Sequence, residues 1–383
     1  MVKLTLTCQQ KTRAFSPVQC RIPHPGIEPS RVLLFDAARD APVPVQTRRV
    51  GDFLELNWII DSIAPGQTRS YHVKESDHHP RPSIVQLSRR GGSLAVVQGG
   101  SECAAFHYSS RLARPFIYPV KDPFGAEMTR VCSGEVAGST PAEHRHHRSL
   151  WTGWGSVNDG DNWRDRRDSG HIRHRCFEGI EEGPVMGRFV SIMDWRDEED
   201  REQMKERREY RFYNMPPSMR LFDVDMRFYA VRDDVRFGDT KEGGLLAVRM
   251  GPERAVNGGG RLENAQGGTN ERDCWGRRSQ WCDYSGPPGD ERAGLAVFDH
   301  PANFRYPTFW HARDYGLLAA NPFGLSYFKQ DETVDGGLVL PRGEEIRFRY
   351  RVYVHAGDAE QGGVADRFTE WMYPPSVEVH QEE

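Results

Sequence analysis

The chain of 383 residues contains no run of roughly 18 apolar residues, which excludes a transmembrane helix. Its mean hydropathy is −0.69. It also lacks a basic excess. Lys and Arg number 51 against 55 Asp and Glu, for a net charge of −4. Nucleic-acid binders usually concentrate positive charge, so neither a nucleic acid nor a membrane is an expected partner. The seven cysteines, at 8, 20, 103, 132, 176, 274 and 282, form no CxxC pair. An odd, scattered set reads as reduced thiols in a cytoplasmic protein, so Cys274 and Cys282 are expected to stay unbridged. The N-terminus, MVKLTLTCQQKTRAF, has no apolar core of about 7–15 residues, as a signal peptide would. Missing too are GxGxxG before a helix, a P-loop, GxSxG and HExxH. Their absence argues against nucleotide-dependent and serine-hydrolase mechanisms.

What the chain does have is alternation. Leu4-Thr5-Leu6, Phe53-Leu54-Glu55-Leu56, Leu221 to Met226 and Ile346 to Val352 alternate apolar and polar residues between turn residues. Period two means half-buried antiparallel strands. Strands are expected near 2–8, 18–22, 31–36, 43–48, 53–59 and 69–74, making a small N-terminal β unit over residues 1–80. DHHPRP at 77–82 reads as a linker. Residues 81–383 then form a large antiparallel β-sandwich that carries the site, for an all-β protein. The charged run 196–211 reads as a solvated hairpin edge or short helix leading into a strand at 208–214. One helix is expected, Gln361 to Met372, stopped by Pro374-Pro375.

Three segments concentrate chemistry. The first, HRHHRSLWTGWGSVNDGDNW (144–163), holds His144, His146, His147, Arg148, Trp151, Trp154, Asn158 and Trp163. Histidine carries protons near neutral pH, and indole faces stack on sugar C–H surfaces. On a strand, His146 and His147 would point to opposite faces, so only His144 and His146 could share a divalent metal. The plainer alternative is a structural loop whose tryptophans fill the core. The second segment, Phe237 to Gly244, sets Asp239, Lys241, Glu242 and glycines before an apolar strand. Glycines let backbone approach a ligand, and Asp239 with Glu242 is a candidate carboxylate pair. The third, 299–324, holds Asp299, His300, Asn303, Arg305, Trp310, His311, Arg313, Asp314 and Asn321. There the plain reading is a buried ion-pair network, with Asp314 against Arg313 or Arg148.

HHRSLWTGWGSVNDGDNW, FGDTKEGGLLAVRM and FDHPANFRYPTFWHARDYGLLAANPFG together resemble the PmoA-like family over about residues 105–357. That family usually has an aromatic residue or glycine where this chain has Thr152, and often Phe-Trp where it has Asn162-Trp163. The family label, methane oxygenase, belongs to an integral membrane protein, and this chain has no membrane span. The resemblance therefore does not imply methane oxidation; because members of the family often sit beside carbohydrate-catabolic genes, it implies sugar metabolism without naming a reaction. It also fits a fold similar to the galactose-mutarotase-like supersandwich.

The expected function is a carbohydrate-active enzyme cleaving a small glycoside, by hydrolysis or elimination, with an oxidised sugar among the candidates. No cofactor is expected. In this scheme Glu242 is general base and His147 or His311 general acid. Arg148, Asn158, Asp239, His300 and Arg313 bind hydroxyls or a carboxylate, and Trp151, Trp154 and Trp310 stack on the ring. A sugar epimerase or mutarotase, a non-catalytic carbohydrate-binding protein and a metal-dependent sugar lyase are the alternatives.

Overall fold

The structure, a computed structural model, describes residues 2–9, 11–23, 26, 28–76, 84–131, 144–287 and 291–381. The expected linker at 77–82 lies outside them. About 54 % of the chain is strand and about 8 % helix.

Two eight-stranded antiparallel sheets dominate. Sheet I runs, in spatial order, Phe309–Arg313, Leu317–Asn321, Gly243–Arg249, Leu150–Trp154, Phe116–Val120, Ser101–His107, Ser93–Gln98 and Val85–Arg90. Sheet II runs His171–Glu181, Met186–Arg196, Glu202–Tyr213, Met219–Tyr229, Glu345–Ala356, Ala293–Asp299, Trp281–Gly286 and Arg261–Asn264. Their inner faces share one apolar core that includes Phe106, Leu150, Leu246, Val248, Phe189, Val224, Val297 and Val352. Alternation along each strand puts these residues inside and aims their neighbours outward.

The charged run belongs to a hairpin. Asp197 caps the turn by accepting N–H bonds from Glu199 and Arg201 at 3.1 and 2.8 Å. The Glu202–Tyr213 strand follows, with its arginines and glutamates paired along sheet II. The C-terminal helix is shorter than the sequence suggests, Val364–Met372, and starts after Gly363 in the left-handed region at φ +62°. Glycine occupies that conformation without strain.

The small unit packs a five-stranded against a three-stranded sheet around Leu4, Leu34, Leu56, Trp58 and Tyr71. Its five-stranded sheet ends on the chain's last strand, Ser376–Gln381, which pairs antiparallel with Val2–Thr7. A boundary at residue 80 leaves that strand with the large domain, whereas the structure places it in the small sheet. The six described cysteines, Cys274 and Cys282 among them, are free thiols. Among the described residues, no helix is long and apolar enough to cross a membrane.

Candidate functional site

On the outward face of sheet I the register sets Trp151 beside Ala247, Ala247 beside Ala319 and Ala319 beside His311. Three strand spacings place Trp151 and His311 roughly 14 Å apart, with only alanine methyls between them. Arg249, two residues along from Ala247, breaks an otherwise apolar strand.

The 144–149 segment is a turn, with His144 and Ser149 at φ +57° and +55°. Strand alternation therefore does not apply, and the three histidines gather. The His146 and His147 rings lie 4.4 Å apart, and His144 stacks on His147 at 4.8 Å. His147 stacks on Trp151 at 5.3 Å and meets the edge of Trp163 at 5.5 Å. Tyr315 stacks on His144 at 5.0 Å, with the Arg249 guanidinium 4.3 Å above its ring.

Hydrogen-bond partners assign the tautomers. His311 Nδ1 lies 2.9 Å from the Lys241 carbonyl, which only accepts, so Nδ1 carries the proton. Its Nε2 is then a bare lone pair, buried and without a partner. At His147 the contact is reversed. Arg249 Nη1, 3.5 Å away, can only donate to Nδ1, which leaves the proton on Nε2. The buried indole N–H groups of Trp151 and Trp163 also lack partners. Buried polar atoms are nearly always satisfied, so these three stand out on this face, where Trp151, Ala247 and Ala319 are themselves fully buried.

Burial, reinforced by Arg313, lowers the His311 pKa to about 3. Burial first, then His146 and Arg249, holds His147 well below the usual histidine range. Both rings are neutral at pH 7. The general-acid role expected of them as imidazolium donors does not fit these surroundings, because desolvation and flanking cations oppose a second positive charge.

Glu242 joins the cluster from the loop that His311 holds, since Lys241 directly precedes it. Its own carbonyl accepts the Gly155 N–H at 2.7 Å. Its carboxylate lies within electrostatic reach of Tyr315. The adjacent Gly243 has a packing reason: a Cβ there would come within 2.5 Å of the Trp154 ring.

Of the other expected residues, Arg148 and Arg313 border the cluster, each held in an ion pair, and the rest lie elsewhere. Trp154 and Trp310 face the inter-sheet core, their indoles donating to Gly238 and Ser279 carbonyls at 3.0 and 2.8 Å. They cannot stack on a ligand over the outer face. Asp239 accepts the N–H groups of Ser326 and Gly336 at 2.9 and 2.6 Å, and so fastens the 324–337 loop. Asn158 is an exposed turn residue at φ +48°, bonded to Arg236 N at 2.7 Å. Arg148 shares Asp165 with Arg114. Arg313 pairs with Glu271 instead of Asp314, and the Asp314 carboxylate accepts the Glu271 N–H at 2.7 Å. His300 lies on the far side of the sandwich, 4.9 Å from Trp371. Among the described residues no three His, Cys, Asp or Glu side chains converge as metal ligands.

The sequence reading missed Arg249, Tyr315, Asp165 and Glu271. Only Arg249 carried a local signal, as an arginine inside an apolar strand.

A family model described as a family of unknown function (DUF6807) matches residues 93–369. The chain belongs to DUF6807. The matched span covers the sandwich from the Ser93–Gln98 strand into the last helix, so every part of the histidine cluster lies within it. No curated protein matches the DUF6807 chain in sequence. Two solved structures resemble it over its whole length. An α-mannosidase from Enterococcus faecalis V583 shows 11 % identity and a TM-score of 0.45, with 46 % of that protein covered. A protein in glycosyl hydrolase family 38 from Enterococcus faecalis shows 10 % identity and a TM-score of 0.39, with 48 % covered. The DUF6807 chain thus spans about half the length of either.

Proposed function

We propose that this protein cleaves a glycoside by acid–base chemistry on the outer face of sheet I, and that elimination from an oxidised sugar suits the site best. The observation that carries this is the buried, unpartnered Nε2 of His311, set across two alanines from the unpartnered indole N–H of Trp151. An acceptor and a donor on one sheet face offer a hydroxylated ring one hydrogen bond of each kind. Glu242 takes a proton from carbon beside the sugar's carbonyl. The electron pair left behind expels the glycosidic oxygen, which His147 Nε2–H and the Trp151 N–H stabilise by hydrogen bonding while it takes the proton that Glu242 removed from carbon. His311 receives a substrate hydroxyl and orients the ring. A lone pair held at so low a pKa suits that task better than proton abstraction. Elimination is preferred to a two-carboxylate displacement because Asp239, the expected second carboxylate, is turned to the 324–337 loop, where its Oδ2 accepts two backbone N–H groups.

The test is turnover of a panel of glycosides of oxidised and unoxidised sugars in isotopically labelled water, read by mass spectrometry. Label-free, unsaturated products from the oxidised members are expected. Incorporated label would establish hydrolysis instead, and an unchanged panel would sink the proposal.

A further inference from the structure

The charged ladder on the outer face of sheet II leaves one cation over. Register sets Asp223 opposite Arg351, Asp225 opposite Arg349 and Arg227 opposite Arg347. The charges do not all pair straight across. Asp223 holds Arg351 at 2.6 Å. Asp225 takes Arg347 on the diagonal, Nε to Oδ1 2.8 Å, and Arg227 takes Glu345 at 2.9 Å. Arg349, its opposite carboxylate already engaged, has no ion pair and no side-chain hydrogen bond among the described residues. Burial first, and then Arg347, disfavour its charge.

Arg349 lines a cavity of about 410 Å³ between sheet II, the small unit and the last helix. That volume is in the range of small-molecule sites. Asn57, His300 and Trp371 share the lining. The carboxylates there are occupied: Glu55 by Arg21 and Arg48, Glu209 by Arg188 and Arg211, Glu370 by Arg367.

We propose that this cleft binds a sugar acid, a polyhydroxylated molecule with a single carboxylate, which Arg349 grips through its guanidinium fork. A planar guanidinium matches a carboxylate in two parallel hydrogen bonds. One uncompensated cation calls for one negative charge. A phosphate dianion would meet the surrounding carboxylates and be disfavoured. The His300 ring, whose Nδ1 accepts the Ala302 N–H, has its Nε2–H to offer a hydroxyl. The core of the sandwich separates this cleft from Glu242 and His311, so the inference stands independently of the proposed activity.

The experiment is calorimetric titration of the full chain with D-glucuronate, D-glucose and inorganic phosphate, using wild type, Arg349→Gln, Arg349→Lys and His311→Gln. Glucuronate should saturate wild type and His311→Gln alike. Affinity should fall at least about tenfold in Arg349→Gln, and partly in Arg349→Lys, which keeps the charge without the fork. Glucose should not bind measurably, and phosphate should bind more weakly than glucuronate. Without ligand, Arg349→Gln should melt at or above the wild-type temperature, because it removes an unpaired, half-buried cation. The proposal is overturned by no saturation in wild type, by wild-type affinity in Arg349→Gln, or by phosphate binding as well as glucuronate. Loss of binding in His311→Gln alone, or a melting temperature for Arg349→Gln well below wild type, would equally overturn it.

Discussion

Glu242 and His311 answer to different measurements. Glu242→Gln keeps shape and hydrogen bonding but cannot accept a proton. Turnover should fall about 10²–10⁴-fold, with ligand affinity and melting temperature near wild type. Near-normal turnover in the folded variant would remove Glu242 from the chemistry. His311 is visible without a substrate. Its folded pKa is about 3, lowered by burial first and then by Arg313, while an unfolded histidine titrates near about 6.5. Between those values the unfolded chain binds a proton that the folded ring refuses. The contribution to stability is therefore present above about pH 6.5 and lost as pH falls toward about 3. His311→Gln should shrink the drop in melting temperature between about pH 7 and 5. Parallel pH profiles for variant and wild type would show that His311 is not held neutral. Legibility also varied residue by residue. The histidines and Glu242 stood out by type and neighbourhood. Asp165 and Glu271 did not, because a carboxylate's ion-pair partner is chosen across the fold.

At the level of the strand, one residue of alternation separates a tryptophan of the inter-sheet core from one on the outer face. In Leu150–Trp154, Trp151 faces outward to His147 while Trp154 faces the core. Trp154→Ala should cost about 3–5 kcal/mol of stability, measured by denaturant unfolding, through the cavity it leaves. Trp151→Ala should in addition lower sugar affinity, which Trp154→Leu should leave intact. A sugar affinity reduced equally by Trp151→Ala and Trp154→Leu would contradict this assignment of faces. The run of aromatic residues was plain in the sequence, but its inward or outward parity was not, since parity depends on which face of the sheet meets the second sheet. The turn at 144–149 shows the same limit. Positive φ at two non-glycine residues has no sequence signature, yet it brings adjacent histidines onto one face.

Across the whole molecule, the chain's two ends meet in one sheet. Ser376–Gln381 covers the edge of Val2–Thr7, which pairs on its other side with Thr68–Glu75. Removing residues 376–383 should unpair that edge. Faster hydrogen exchange is expected in Val2–Thr7 and Thr68–Glu75, while the strands of sheet I keep wild-type protection. Uniform loss of protection across both sheets of the sandwich would instead show that the small unit and sandwich unfold as one.

The sequence by itself determined the all-β class, nearly every strand of the small unit, the helix near the C-terminus and the segments from which the histidine cluster is built. Period-two patterning and unusual side chains are local properties, readable wherever they occur. Tertiary structure alone decided which carboxylate accompanies the histidines. Asp239 and Glu242 are three residues apart in one polar loop, yet Asp239 Oδ2 fastens the 324–337 loop while Glu242 lies within electrostatic reach of Tyr315. It also decided that His300 lies across the sandwich from His311. Both outcomes depend on contacts between segments far apart in the chain, and such contacts leave no mark on the residues around either partner.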